Sequence, residues 1–377
     1  GGSASAAGGF DAEAITNSIW IDGSPDCLKA TLGAKTRTRC VIGTWVQKTD
    51  FSLANATIFS KSNPGTEFSM RMDEHGTDGK FTIFDWDGGS FQYSARTTTM
   101  KLKDLWWYHI MISIDTTASA GSRLKFFING IDQTSALTVS TDYTLNDNPS
   151  ITGSQASQWG VGYNGSQYLK CYFAQTFMLD DDSIQNSDVS ISDLFDEADD
   201  RFVPKASSAI AALASSAGGH SYCLDYSNSS DLGNDISSNN NDFTLTSITS
   251  ANQSTNSPSN TYPIMNILDP SNSTRTFSEG NMKVAGSGGS DGGAIATLPL
   301  PTSGTTEFQV KSLNGQGRVG IIAKEEAQKV SVAADNACNG TGQNFNAAYH
   351  YTENGSLRTV LSSGQSTTTP FGSFTTN

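Results

Sequence analysis

The chain is poor in charge, and above all in positive charge. Only 16% of its 377 residues are charged, and 23 Lys and Arg stand against 37 Asp and Glu, a net charge of −14 with a pI near 4.6. A nucleic-acid binder needs a basic face that displaces phosphate counterions, so DNA and RNA are excluded as expected partners. No apolar run approaches the roughly 20 residues of a membrane-crossing helix, and membrane insertion is not expected. Gly1 to Gly9 lacks the basic and apolar regions of a secretion signal, which implies earlier processing or release by another route, such as lysis of the producing cell. Cysteines are few: Cys27, Cys40, Cys171, Cys223 and Cys338 are odd in number, far apart and without Cys-x-x-Cys spacing. That disfavours a disulfide framework and a zinc site alike. Cys27 and Cys40 could pair, but assembly in a reducing cytoplasm would leave them free. The four histidines, His75, His109, His220 and His350, are dispersed, and no Gly-x-Ser-x-Gly elbow accompanies them.

What is present is β structure. Glycine numbers 36, Ser, Thr and Asn are abundant, and the length suits two domains with an all-β, loop-rich character. The clearest pattern runs from Trp107 to Gln133. Tyr108, Ile110, Ile112 and Ile114 alternate with His109, Met111, Ser113 and Asp115, the period of two of a half-buried strand. A polar turn from Thr116 to Ser122 leads to Leu124, Phe126 and Ile128, again on one face. Asn129-Gly130 then tolerates the positive φ angles of a two-residue type I′ hairpin.

This stretch resembles the signature of laminin-G-like, concanavalin A-like jelly rolls, in which a Trp-Tyr-His strand, an Asp-Thr-Thr turn and a Phe-Ile-Asn-Gly hairpin follow in order. Ser18 to Gly23 and Thr44 to Lys48 are similar to the first two strands of such domains, and Trp159 to Gly162 with Tyr168 to Gln175 to the closing ones. The resemblance implies a jelly roll over residues 10–205, behind a flexible segment 1–9. It also implies that Trp20, Trp45 and Trp107 are core residues and that His109 is scaffold.

Beyond Asp182 the pattern changes. Ser190 to Ala198 reads as a short capped helix stopped by Pro204, and Ala209 to Ala217 as a second helix ended by Gly218-Gly219. Tyr222 to Ser227 reads as a strand, and Asp231 to Phe243 as turns built by Asx and Ser side chains. Residues 206–265 are therefore expected to be a connecting segment with one added strand. From Asn266 a second β pattern appears in Gly280 to Val284, Thr306 to Lys311 and Arg318 to Ala323, which resembles a SPRY-like sandwich over 266–377. In that family a further closing strand would lie past Asn377, so this domain is expected to be incomplete. The fold class is thus all-β, two tandem antiparallel β-sandwiches joined by a short helical and looped connection.

The order of a laminin-G-like domain, an Asp-x-Ser-x-Asn-x-Asn-Asp-Phe segment and a SPRY-like domain resembles virion proteins of tailed bacteriophages, particularly marine ones. It implies a tail-fibre or spike component with a lectin-like domain for host cell-surface glycans, assembled in the host cytoplasm and displayed on the virion surface. Its partners would be other virion proteins and further copies of itself in a homotrimer. The alternatives are a capsid decoration or head-fibre protein with a purely structural role, and a secreted bacterial glycan-binding module.

Concanavalin A-like jelly rolls also include glycoside hydrolases, which place paired carboxylates on one strand face as Glu-x-Asp-x-Glu. No such run occurs here, and no enzymatic activity is expected. Glycan binding needs exposed aromatic rings beside groups that bond hydroxyls. Trp86 between Asp85 and Asp87, and Tyr163 beside Asn164, have that composition, although a tryptophan folded over its own hairpin accounts for Trp86 equally well. Asp180, Asp181 and Asp182 are the candidate calcium ligands. Adjacent carboxylates at a strand end point in different directions, which favours a solvated turn.

Overall fold

The computed structural model describes residues 15–33, 37–49, 56–63, 65–72, 79–98, 106–162, 165–180, 191–198 and 201–259, and thereafter short strand segments. The chain divides into two units, Gly1–Tyr262 and Pro263–Asn377.

The first unit is a sandwich of two eight-stranded antiparallel sheets, a concanavalin A-like jelly roll. One sheet runs β10 (Ile131–Asp132), β9 (Leu124–Ile128), β8 (Trp107–Asp115), β3 (Arg39–Lys48), β13 (Lys170–Leu179), β1 (Ser18–Asp22) and β18 (Gln253–Ser254), with β16 (Tyr222–Leu224) also on β13. The other runs β11 (Leu137–Thr141), β7 (Phe91–Thr97), β6 (Phe81–Trp86), β5 (Thr66–Met72), β4 (Ala56–Asn63), β12 (Ala156–Trp159), β2 (Cys27–Thr31) and β17 (Thr244–Thr246). Alternate residues of both sheets meet between them, among them Ile19, Ile21, Leu28, Phe68, Ile83 and Ile112. Each such side chain contributes about 1.5–3 kcal/mol by leaving water. The buried indole of Trp159 donates to the Tyr222 hydroxyl at 3.0 Å, so these two large polar aromatics satisfy each other inside the core.

The Asn129-Gly130 hairpin forms as expected, with φ of 50° and 78° and Ile128 facing Ile131. Strand β8 is not half-buried, however. Its inner face enters the core, and its other face, with Trp107, His109 and Met111, is covered too. The cover is a second apolar layer: Leu194, Phe195 and Ile210, Ala211 and Ala214 of helix α2 (Ser207–Ala217) pack on Val41, Trp45, Met111 and Phe177. Trp45 is fully buried and Trp107 nearly so, Trp20 is partly buried, and Trp106 is 61% exposed. Gly43 is required under this layer, because a Cβ there would strike the Phe177 ring.

The stretch expected to connect two domains is instead built into the first. The capped helix is shorter than expected: α1 (Ile191–Leu194) gives way to β14 (Phe195–Ala198), which pairs with β15 (Arg201–Pro204). β16 extends one sheet, β17 widens the other and β18 pairs with β1, so residues 222–254 complete both sheet edges. The Asx-rich loop explains how. Asp235 accepts from the backbone N–H groups of Cys223, Ser237 and Asn241 and from the Ser237 hydroxyl, at 2.8–2.9 Å. Asn239 donates to the carbonyls of Ala214, Gly218 and Ser221, satisfying the end of α2 where Gly218 turns with φ 99°.

In the second unit the described strands are β19 (Arg275–Ser278) paired with β20 (Lys283–Gly286), and an antiparallel meander of β21 (Arg318–Ile322), β22 (Ala347–Tyr351), β23 (Leu357–Leu361) and β24 (Gly364–Thr368). The expected strand at 306–311 lies outside the described residues.

Candidate functional site

The candidate residues around Trp86 lie at the end of the β6–β7 hairpin. Alternation along β6 separates them. Phe81, Ile83 and Asp85 enter the core between the sheets, while Phe84 and Trp86 belong to the opposite face, on which their rings meet Phe91 of β7. Asp85 is therefore not a glycan contact. It is fully buried, and its Oδ2 accepts from the Tyr143 hydroxyl at 3.0 Å and the Ser150 N–H at 2.9 Å. Burial raises its carboxyl to about 6, with those same hydrogen bonds pulling the other way.

Asp87 is exposed but occupied with the turn. Its carboxylate accepts from the N–H groups of Gly89 and Ser90 at 3.2 and 3.1 Å and from the side-chain amide of Gln92. Hydrogen bonds from Ser90 and Gly89 hold its carboxyl below the ordinary carboxylate range. Gly88, with φ 88°, abuts the backbone of Gly65, so the turn after β6 rests on the turn between β4 and β5.

A register shift between Asp85 and Trp86 bulges β7 and sets Trp86 opposite Phe91. Trp86 is half-buried with its ring edge-on to Phe91 at 5.0 Å, and Phe91 packs edge-on to Phe84 at 6.0 Å. Phe91 nevertheless remains 46% exposed. Phe84 is backed by the Arg71 guanidinium, 4.4 Å from the ring centroid. Arg71 is in turn held by Glu67, with which it forms an ion pair, and by the Ser69 hydroxyl at 2.9 Å. Glu67 stands beside Trp86 across the β5–β6 pair. The result is a fixed aromatic lip, Phe84, Trp86 and Phe91, edged by Glu67, Asp87 and Gln92. Phe91, Glu67 and Gln92 carry no motif: the bulged β6–β7 register sets Phe91 against Trp86, the β5–β6 pairing brings Glu67 beside it, and the turn brings Gln92 to Asp87.

Tyr163 and Asn164 lie outside the described residues, as do Asp181 and Asp182. Asp180 is fully buried, with Oδ2 3.2 Å from His220 Nδ1 and its N–H bonded to the Ser221 hydroxyl. Beside it in the interior, desolvation lowers the Lys61 ammonium to about 8, against the attraction of Asp180. Asp180 is thus an internal charge partner rather than an exposed calcium ligand. Among the described residues no group of three or more His, Cys, Asp or Glu is placed to hold a metal ion. His109 is enclosed by Trp45, Phe195 and Phe177 at ring distances of 5.2, 4.8 and 6.1 Å, and burial lowers its imidazole to about 3. Cys27, Cys40, Cys171 and Cys223 are all buried thiols outside any disulfide.

Residues 29–173 match the family model Laminin_G_3, described as the concanavalin A-like lectin/glucanases superfamily. No curated protein matches the sequence. Among solved structures, the chain is similar to a candidate carbohydrate binding protein of Bacteroides ovatus, at 16% identity and a TM-score of 0.40 over 62% of this chain and 59% of that one. It is similar to the heptameric SAP-like pentraxin of Limulus polyphemus, at 11% identity and a TM-score of 0.32 over 45% and 77% of the two chains. A third is the enzymatically active domain of bacteriophage CBA120 tailspike protein 2, at 14% identity and a TM-score of 0.33, over 49% of this chain and 30% of that one. The match thus spans less than two thirds of the Bacteroides and phage proteins. At these identities and scores none of the three bears on ligand or activity.

Proposed function

We propose that the first unit is a glycan-binding module, and that the protein is a tail-fibre or spike component of a bacteriophage which attaches the particle to host-surface glycans. The observation that carries the binding reading is Phe91, a large apolar ring left 46% exposed although Trp86 and Phe84 brace it. A sugar ring has an apolar C–H face that stacks on such a side chain and equatorial hydroxyls that bond to neighbouring polar groups. Gln92 and the carboxylates of Asp87 and Glu67 stand at that rim. Because the lip is already packed, little side-chain entropy is lost when a ligand docks. The family match over residues 29–173 supports the same reading.

The virion assignment rests on the sequence resemblance alone. With it go display on the particle surface, assembly in the host cytoplasm with other virion proteins, a homotrimeric state and a SPRY-like second unit. Binding without catalysis is part of the proposal. Glu67 is engaged by Arg71, Asp87 by its turn and Asp85 faces the core, so these three do not form a carboxylate pair across a bound glycan.

A glycan array probed with the intact chain and with Phe91→Ala tests the binding claim. The expected result is a set of bound glycans whose signal falls at least about tenfold in the variant, the loss of one stacking contact worth about 1.4 kcal/mol. An array with no bound glycan would overturn the reading. Antibody labelling of phage particles tests the location, and a monomer by light scattering would remove the trimer.

A further inference from the structure

Resting on the glycan-binding reading, we infer that the lip selects uncharged glycans and discriminates against those bearing carboxylate, sulfate or phosphate groups. The reason is the disposition of charge around Phe91. Among the described residues, the guanidinium beside the lip is that of Arg71, which is buried and committed: it pairs with Glu67, donates to Ser69 and lies against Phe84. Its Nε and one Nη are taken by these partners and the side chain is buried, so little of it is open to an anionic sugar. Once that pair is neutralised internally, the charge left at the rim among the described residues is Asp87, exposed and held ionised by the N–H groups of Ser90 and Gly89.

Among the described residues, the other cations of this sheet are buried or remote: Lys61 of β4 is fully buried beside Asp180 in the interior. Arg96 faces Thr82, four residues along β6 from Trp86, about 13 Å at roughly 3.3 Å per residue. Lys29 is on β2, four strands from β6, about 19 Å at roughly 4.8 Å per strand. Both distances exceed the Debye length of about 8 Å at physiological ionic strength, so neither offsets Asp87 for a ligand seated on Phe91. An anionic substituent about 5 Å from Asp87 is therefore repelled, enough to weaken binding at least about fourfold even in bulk water. The net charge of −14 adds a repulsive background with the same sign.

The experiment takes a neutral glycan bound on the array and the same glycan carrying a sialic acid or uronic acid, and titrates both against the intact chain, Asp87→Asn and Phe91→Ala by calorimetry in low and high salt. Asparagine retains the oxygen that accepts from Gly89 and Ser90, so the turn is kept while the charge is removed. The expected result is a neutral-to-acidic preference of at least about fourfold at low salt, shrinking toward unity in Asp87→Asn and in high salt. Binding of acidic glycans in preference to neutral ones, lost in Phe91→Ala, would overturn this selectivity while leaving the glycan-binding reading intact. A preference unchanged by Asp87→Asn and by salt would also overturn it. Binding that survives Phe91→Ala would remove the lip itself as the site, and this inference with it.

Discussion

Replacing Asp85 by asparagine should make the first unit more stable at neutral pH and leave it unchanged near pH 4. The folded state holds the Asp85 proton with a pKa of about 6, against 3.8 for the free side chain. Below pH 4 both states are protonated and burial costs nothing extra. Between pH 4 and 6 the unfolded chain ionises first, so stability falls as pH rises through that window. Above pH 6 the full cost applies, about 3 kcal/mol at about 1.4 kcal/mol per pKa unit. Asparagine copies the protonated acid: its carbonyl oxygen accepts from Tyr143 and Ser150 as Oδ2 does now, and its amide occupies the place of Oδ1, which has no hydrogen-bond partner. Urea unfolding at pH 4 to 8, followed by tryptophan fluorescence, measures the difference. All six tryptophans lie between Trp20 and Trp159, so the signal reports the first unit. The expected gain rises from near zero at pH 4 to as much as about 3 kcal/mol at pH 8. A variant less stable than the parent at pH 8, or a difference independent of pH, would refute the assignment of Asp85 as a buried, proton-holding carboxyl.

His109 should act in the opposite sense. Its folded pKa is depressed from 6.5 to about 3, so stability is complete above pH 6.5 and declines as pH falls, by about 5 kcal/mol in all. His109→Phe should flatten that acid decline relative to the parent, and an unchanged acid-unfolding profile would contradict it. Gly88→Ala should loosen the lip, because at φ 88° a Cβ would overlap the Gly65 carbonyl. A drop in melting temperature of several degrees with weaker glycan binding is expected, and a neutral result would mean that the two turns do not rest on each other. Asp235→Ala should cost about 2–4 kcal/mol, since it leaves the buried N–H groups of Cys223 and Ser237 without their acceptor. Hydrogen exchange should then rise at Cys223 and Ser237 before it rises in β8, and uniform loss of protection would count against a local anchoring role.

How far these features were legible differs from residue to residue. The alternation in Tyr108 to Ile114 and the Asn129-Gly130 dipeptide report on the backbone directly, because strand period and positive φ are local properties. They were enough to predict antiparallel strands and a hairpin, while the β-sandwich came from the resemblance to concanavalin A-like jelly rolls. In β6 the same logic fails, because Phe81, Ile83 and Asp85 alternate with Phe84 and Trp86, and both sets contain large apolar rings. Only the second sheet facing Ile83 decides that Asp85 is inside and Trp86 outside. The acidic run at Asp180 is a similar case, since burial against His220, forty residues away, turned a candidate metal ligand into an internal ion partner. The loop from Asp231 to Phe243 announced turns, yet its task of joining α2 to β16 depends on hydrogen bonds to Ala214 and Cys223. By itself, then, the sequence determined strand period, hairpin position and charge. Tertiary structure alone decided which face of each strand meets water, and a one-residue bulge in β7 decided that Phe91, and not Gln92, stands opposite Trp86. The reason is physical: local conformation follows from neighbouring residues, whereas burial and register follow from what packs on the other side.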